Sequence, residues 1–138
     1  ILFMKKTGSL VHIDFSECFE KALNLRIFPE KVPFRLTRMM VKVLGVSGVE
    51  GEFKITAQFV MNLMRGNKSA LLAFLDVFTK GAGTNITTDD FNRVRDKLDG
   101  NDFNERDLTA EEQVDKLIAE ATNETNLCQM YSGWAPYW

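Results

Sequence analysis

The stretch LVHIDFSECF, residues 10–19, decides how the rest of the chain is read. It opens on four apolar or strand-favouring residues, passes at once to an aspartate and a phenylalanine, Asp14 and Phe15, and then loses its periodicity as far as Pro33. A short apolar, β-branched run bounded by turn residues makes a strand. Upstream, ILFM repeats that pattern, and KKTGS between the two supplies the glycine and polar residues of a tight turn. A β-hairpin of residues 1–4 and 10–13 is therefore expected. Pro29 and Pro33 fall in the stretch that follows, so residues 15–33 are expected to form a loop. Loops of that length in compact domains are functional or disordered.

Downstream the hydrophobic period changes to that of helices. FRLTRMMVKVLG, residues 34–45, places Leu36, Met39, Met40 and Val43 on one face and stops at Gly45, a natural C-terminal cap. GVSGVEGE has three glycines within seven residues and must turn tightly. In ITAQFVMNLMRG, residues 55–66, Thr56 is the expected N-cap and Phe59, Val60, Leu63 and Met64 the buried face; in KSALLAFLDVFTK, residues 68–80, that face is Leu71, Leu72, Leu75 and Phe78. Residues 80–87 read as a linker, after which Thr88 is expected to cap a helix running to Gly100, with Asp89 and Asp90 at its positive end and Arg95 and Lys97 near its negative end. A last helix opens on Thr109 and Glu112, a capping-box spacing, and carries Val114, Leu117, Ile118 and Ala121. The expected fold class is α+β, mainly α: a hairpin followed by a helical bundle. Met39, Met40, Met61 and Met64, at helical spacing, read as core filling. His12, the only histidine, reads as a hydrogen-bonded structural residue on a buried strand.

Composition narrows the function classes. The 138 residues carry a formal charge of -2 from mixed signs spread along the chain, which gives no electrostatic footprint for nucleic acid. Cys18 and Cys128 fit neither a metal-ligand spacing nor a disulfide-dense scaffold and read as reduced thiols. Asn67, Asn85 and Asn123 head sequons that have meaning only in a secreted chain. No apolar run approaches the ~20 residues of a membrane span, and ILFMKKTGS lacks the order of a signal peptide. The chain is expected to be cytoplasmic, neither secreted nor transmembrane. Ile1, an apolar residue without a preceding methionine, is expected to be an interior point of a longer polypeptide.

HIDF, then FPEKVPFRLTRMM, GVEGEF, and finally VDKLIAEATNETNLCQMYSGW stand in this order along the chain. Together they resemble the C-terminal part of the phosphatidylinositol-kinase-related protein kinases, and ECFEKA, PEKVPFRLTRM and the closing aromatics resemble their target-of-rapamycin (TOR) branch. The resemblance implies the last part of a kinase C-lobe in residues 1–79, a linker at 80–87, a helix leading to the tail at 88–105, and the family's short terminal FATC domain at 106–138. It implies a serine/threonine kinase in nutrient and growth signalling that uses ATP and magnesium (or manganese), acts on protein substrates and joins TOR-complex subunits. Asp14 matches the metal-binding aspartate. Leu2 and Ile13 would line the adenine pocket. Residues 14–36 would be the activation loop, where Ser16 follows the Asp-Phe pair and Pro33, Phe34 and Arg35 end the loop and shape the peptide site. The base, a second metal ligand and the ATP-clamping lysine belong upstream, so the 138 residues alone are expected to be inactive.

Three positions depart from the family pattern. Ser16 replaces a glycine and loses easy access to positive φ. Phe78 is followed by a short linker rather than a long regulatory insertion. Ala135 replaces a cysteine, which removes any disulfide within the tail. Leu127, Tyr131, Trp134, Tyr137 and Trp138 form an aromatic tail for interaction, expected to pack on the kinase lobe near the activation loop, with peripheral contact to endomembranes as the second reading. The competing functional class is a non-catalytic interaction module that keeps the helical scaffold and uses the tail for docking.

Overall fold

The structure, a computed structural model, describes residues 2–13, 19–20, 22, 25–27, 29–80 and 87–134, the side chains of Phe3, Phe78, Thr79 and Trp134 excepted. The expected hairpin is present. Strands β1 (Leu2–Phe3) and β2 (Leu10–Val11) run antiparallel, with Leu2 opposite Val11 and Phe3 opposite Leu10. Between them the Met4 carbonyl accepts from the Gly8 N–H at 2.8 Å, and Gly8 takes φ +71, which a glycine adopts without cost. The strands are shorter than the apolar runs, because a two-stranded ribbon gains little from extension unless a face is covered. Leu10, Val11 and His12 are all exposed. His12 is therefore a surface residue, and the expectation of a buried strand there is corrected.

Helix α1 (Arg38–Val43) ends at Gly45, whose φ of +80 lets its N–H reach the Lys42 carbonyl at 3.1 Å. Leu36 precedes the helix and is buried, as is Thr37. With the helix entry fixed by those two residues, Val41 faces the core, while Met39, Met40 and Val43 face outward, Val43 at 84% exposure. Helix α2 (Glu52–Gly66) starts at Gly51, so Thr56 is interior and not its cap. Its core stripe is Phe53, Ala57 and Met61. The face expected to be buried, Phe59, Val60, Leu63 and Met64, is exposed, Phe59 at 67%. Apolar residues occupy nearly every side of α2, so periodicity alone could not choose between two faces. Of the four methionines expected in the core, only Met61 packs against it.

Helix α3 (Lys68–Lys80) half-buries Leu71, Leu72 and Leu75 as expected, and exposes Phe74 and Val77. Helix α4 (Thr88–Leu98) is capped by Thr87 rather than Thr88. The reason is reciprocity: Thr87 accepts from the Asp90 N–H at 3.2 Å while the Asp90 carboxylate accepts from the Thr87 N–H at 2.7 Å. Three residues after Thr88 stands Phe91, which can accept nothing. After α4 the chain turns through Gly100 at φ +82, where a Cβ would lie 2.6 Å from the Leu108 carbonyl oxygen.

Helix α5 (Ala110–Thr122) opens on the expected capping box between Thr109 and Glu112, and α6 (Glu124–Cys128) follows after Asn123, whose side chain caps it. Helix α5 packs on α2 and α6, and α3 on α4. Leu36, Val114, Ile118 and Ala121 form one buried cluster, with Phe34, Val41, Val49, Phe53, Ala57 and Met61 packed around it. Val32, Leu127 and Met130 form a second. Among the described residues no helix is long and apolar enough to cross a membrane.

Candidate functional site

The two buried clusters share one feature: each joins the stretch that follows Pro29 to the last helices of the chain. Val32 packs with Leu127 and Met130, and the Lys31 N–H donates to the Met130 Sδ at 3.2 Å. Leu36 packs with Val114, Ile118 and Ala121, and the Phe34 ring meets that of Phe53 on α2 at 6.2 Å between centroids, tilted by 47°. The chain bends at residues 32–34, and burial alternates along it: Val32, Phe34 and Leu36 turn inward while Pro33 and Arg35 stay exposed. Residues 32–37 are thus held down along one edge and offer the other to solvent.

A polar network fixes the earlier part of the same segment. Glu20 receives Arg93 Nε at 3.1 Å and also pairs with Lys97. Arg93 donates onward to Asp102 and, at 3.3 Å, to the Asn101 carbonyl. Asp102, only 4% exposed, accepts from Gln113 Nε2 at 3.0 Å, and the Gln113 Oε1 accepts from Arg65 Nη2 at 2.6 Å. Arg65 then donates to the Leu108 carbonyl at 2.8 Å. Burial pushes the Asp102 carboxyl up, but the hydrogen bonds from Gln113 and Arg93 outweigh it and hold the group below its ordinary value. The same balance, with Lys97 and Arg93 as donors, keeps Glu20 ionised. Arg93 is held protonated more firmly than usual: burial works against its charge, and the bonds to Asp102 and Glu20 outweigh that. Between the two supports lies a cleft of about 660 Å3 bordered by Phe19, Glu20, Lys31, Pro33, Arg93 and Asn104.

The residues singled out from the sequence fall in three groups. Leu2 and Ile13 are exposed at the hairpin. Pro33, Phe34 and Arg35 lie together at the end of the segment, and Leu127 is buried beneath Val32 while Tyr131 is exposed. Asp14, Ser16, Tyr137 and Trp138 lie outside the described residues, as does the Trp134 side chain. Sequence reading missed Glu20, Arg93, Asp102 and Gln113. The available signal was the four-residue step from Arg93 to Lys97, which puts two cations on one face of α4. Asp14, expected from the sequence to hold a metal, carries a carboxylate, the hard oxygen donor that magnesium takes.

Comparison with known proteins agrees with this architecture. The pattern of the family described as phosphatidylinositol 3- and 4-kinase matches residues 1–87, and that of the FATC domain matches residues 107–138. The serine/threonine-protein kinase TOR2 of Saccharomyces cerevisiae is 38% identical over 96% of this chain, and MEC1 of Candida albicans is 39% identical over 99%. The Drosophila melanogaster kinase mTor is 32% identical over the whole chain. The chain spans only 7%, 6% and 8% of these relatives. The solved FAT and kinase domain of CtTel1 superposes with a TM-score of 0.84 and 31% identity, over 96% of this chain and 10% of that one. The segment pinned between α4, α5 and α6 therefore has a family context: the chain belongs to the phosphatidylinositol 3- and 4-kinase family, as the C-terminal part of a kinase domain related to TOR and MEC1 and ending in a FATC domain.

Proposed function

We propose that these residues form the activation segment and its FATC support in a TOR-like serine/threonine kinase. That kinase transfers the γ-phosphate of ATP to protein substrates in nutrient and growth signalling. The observation that carries the reading is the clamping of Val32 and Leu36 under α5 and α6, which leaves Pro33 and Arg35 on an exposed edge. Phosphoryl transfer relies on positioning and charge neutralisation, so an edge that orients a peptide hydroxyl must itself be rigid. In this reading Pro33, Phe34 and Arg35 shape the peptide site, Leu2 and Ile13 line the adenine pocket, Ser16 begins the loop, and Asp14 would hold a magnesium ion, which would supply charge neutralisation at the phosphates. The substrate oxygen attacks the γ-phosphorus, the bond to the β–γ bridging oxygen breaks, ADP leaves, and the hydroxyl proton goes to a base outside these residues.

The division into a lobe remainder at 1–79, a linker at 80–87, a helix at 88–105 and FATC at 106–138 belongs to the same proposal. So do a cytoplasmic location and TOR-complex subunits as partners, with Tyr131, Trp134, Tyr137 and Trp138 as the interacting tail. The apolar residues that α2 and α3 expose, Phe59, Leu63, Phe74 and Val77 among them, suit a piece that is completed by the rest of a kinase polypeptide. The test is a protein-kinase assay on the full-length parent and its Asp14→Asn variant. Phosphate transfer to a protein substrate that falls at least 100-fold in the variant is expected. A parent that binds partners through its tail yet transfers no phosphate would establish the non-catalytic interaction module instead.

A further inference from the structure

Phe19 and Glu20 both adopt left-handed backbone, at φ 58 and 66, and neither is glycine. Such a conformation is unfavourable for a residue with a Cβ and persists only where the surroundings enforce it. Here the Glu20 carboxylate pairs with Arg93 and Lys97, one helical turn apart on α4. Arg93 is itself held in place, since Asp102, Gln113 and Arg65 tie it to α5 and α2 in turn. A few residues on, Ala22 is buried, and its carbonyl accepts from the Glu30 N–H at 2.9 Å.

We propose that Glu20, Arg93 and Lys97 form a latch that fastens the early part of the activation segment to α4, making Glu20 a positioning residue for the protein substrate. The proposal rests on the kinase reading above. The segment is then held at two points, by charge at Glu20 and by apolar burial from Val32 to Thr37, and the geometry of the peptide edge between Pro33 and Arg35 depends on both. Each pair in the latch is partly exposed, so it is a contact that can open without unfolding the helices beneath it. Its release should weaken peptide capture more than it weakens the chemical step.

The test uses the full-length parent kinase with Glu20→Gln, Lys97→Gln and the double variant, assayed against a peptide substrate and against ATP. Glu20→Gln is expected to raise the peptide KM five- to tenfold, with kcat and the ATP KM within twofold of the parent. Lys97→Gln should raise it about threefold, and the double variant no further than Glu20→Gln alone, because both changes remove the same contact. If Glu20→Gln does not yield folded enzyme, Lys97→Gln, on a helix whose backbone it leaves intact, carries the test. An active parent whose peptide KM is unmoved by either variant, or moved additively by both, overturns the latch. An inactive parent overturns the kinase reading on which the latch rests.

Discussion

Helices α2 and α5 are both amphipathic, yet they meet their surroundings in opposite ways. Helix α5 buries Ala110, Gln113, Val114, Ile118 and Ala121, whereas α2 buries no residue completely and exposes Ile55, Phe59 and Leu63. The difference is one of partners rather than of apolar content. Helix α5 is surrounded by α2, α6 and the residues Phe34 and Leu36, all within these residues. Helix α2 packs on α5 and on the turn at residues 48–50, and still leaves Ile55, Phe59 and Leu63 exposed. Among the described residues, α5 is thus covered by its own neighbours, while α2 and α3 leave large apolar residues exposed.

The contrast is tested most severely by matched truncations in residues 1–138. Ile118→Ala is expected to cost about 2–5 kcal/mol in urea unfolding, because it empties a packed site. Leu63→Ala, at an exposed site, should cost less than about 0.5 kcal/mol. Equal losses would break the distinction between the two helices. Next in size is the pair of glycines Gly100 and Gly66. Gly100→Ala meets both a left-handed backbone and the Leu108 carbonyl, and should cost at least about 2 kcal/mol. Gly66→Ala has open space within α2 and should stabilise by about 0.5–1 kcal/mol. Thr109→Ala removes the cap of α5 and should cost about 1 kcal/mol. Thr56→Ala, inside α2, should be close to neutral in the same measurement.

The smallest effect concerns pH. Glu20 and Asp102 ionise below their ordinary values of 4.5 and 3.8, so the folded state binds fewer protons than the unfolded one as these groups titrate. Their contribution is therefore complete above about pH 5 and is lost as the pH falls through the depressed values. The urea midpoint should drop between pH 6 and pH 3, and Asp102→Asn should flatten that drop. An unchanged slope in the variant would remove Asp102 from the account.

Much of the architecture was legible in the sequence, and the errors have physical causes. The hairpin turn, the Gly45 and Gly100 stops, and the capping box at Thr109 depend on local chemistry and were readable. The cap at Thr87 was misplaced by one residue because the partner three positions on was not weighed. The buried face of α2 was misassigned because it carries two apolar sides and the choice between them is made by α5, more than fifty residues away. Val32 and Leu36 gained their importance from partners beyond residue 113, and Glu20 from Arg93 and Lys97. A motif names such residues' neighbours but does not reveal the contact.

In the proposed reading, the FATC helices hold the activation segment in place. This is tested most directly by hydrogen exchange of backbone amides in residues 29–37 of the full-length kinase, comparing the parent with Leu127→Ala. Loss of the Val32, Leu127 and Met130 cluster should raise exchange in that segment at least tenfold, while α3 keeps its protection. Unchanged exchange in residues 29–37, or a uniform rise across α3 as well, would contradict it.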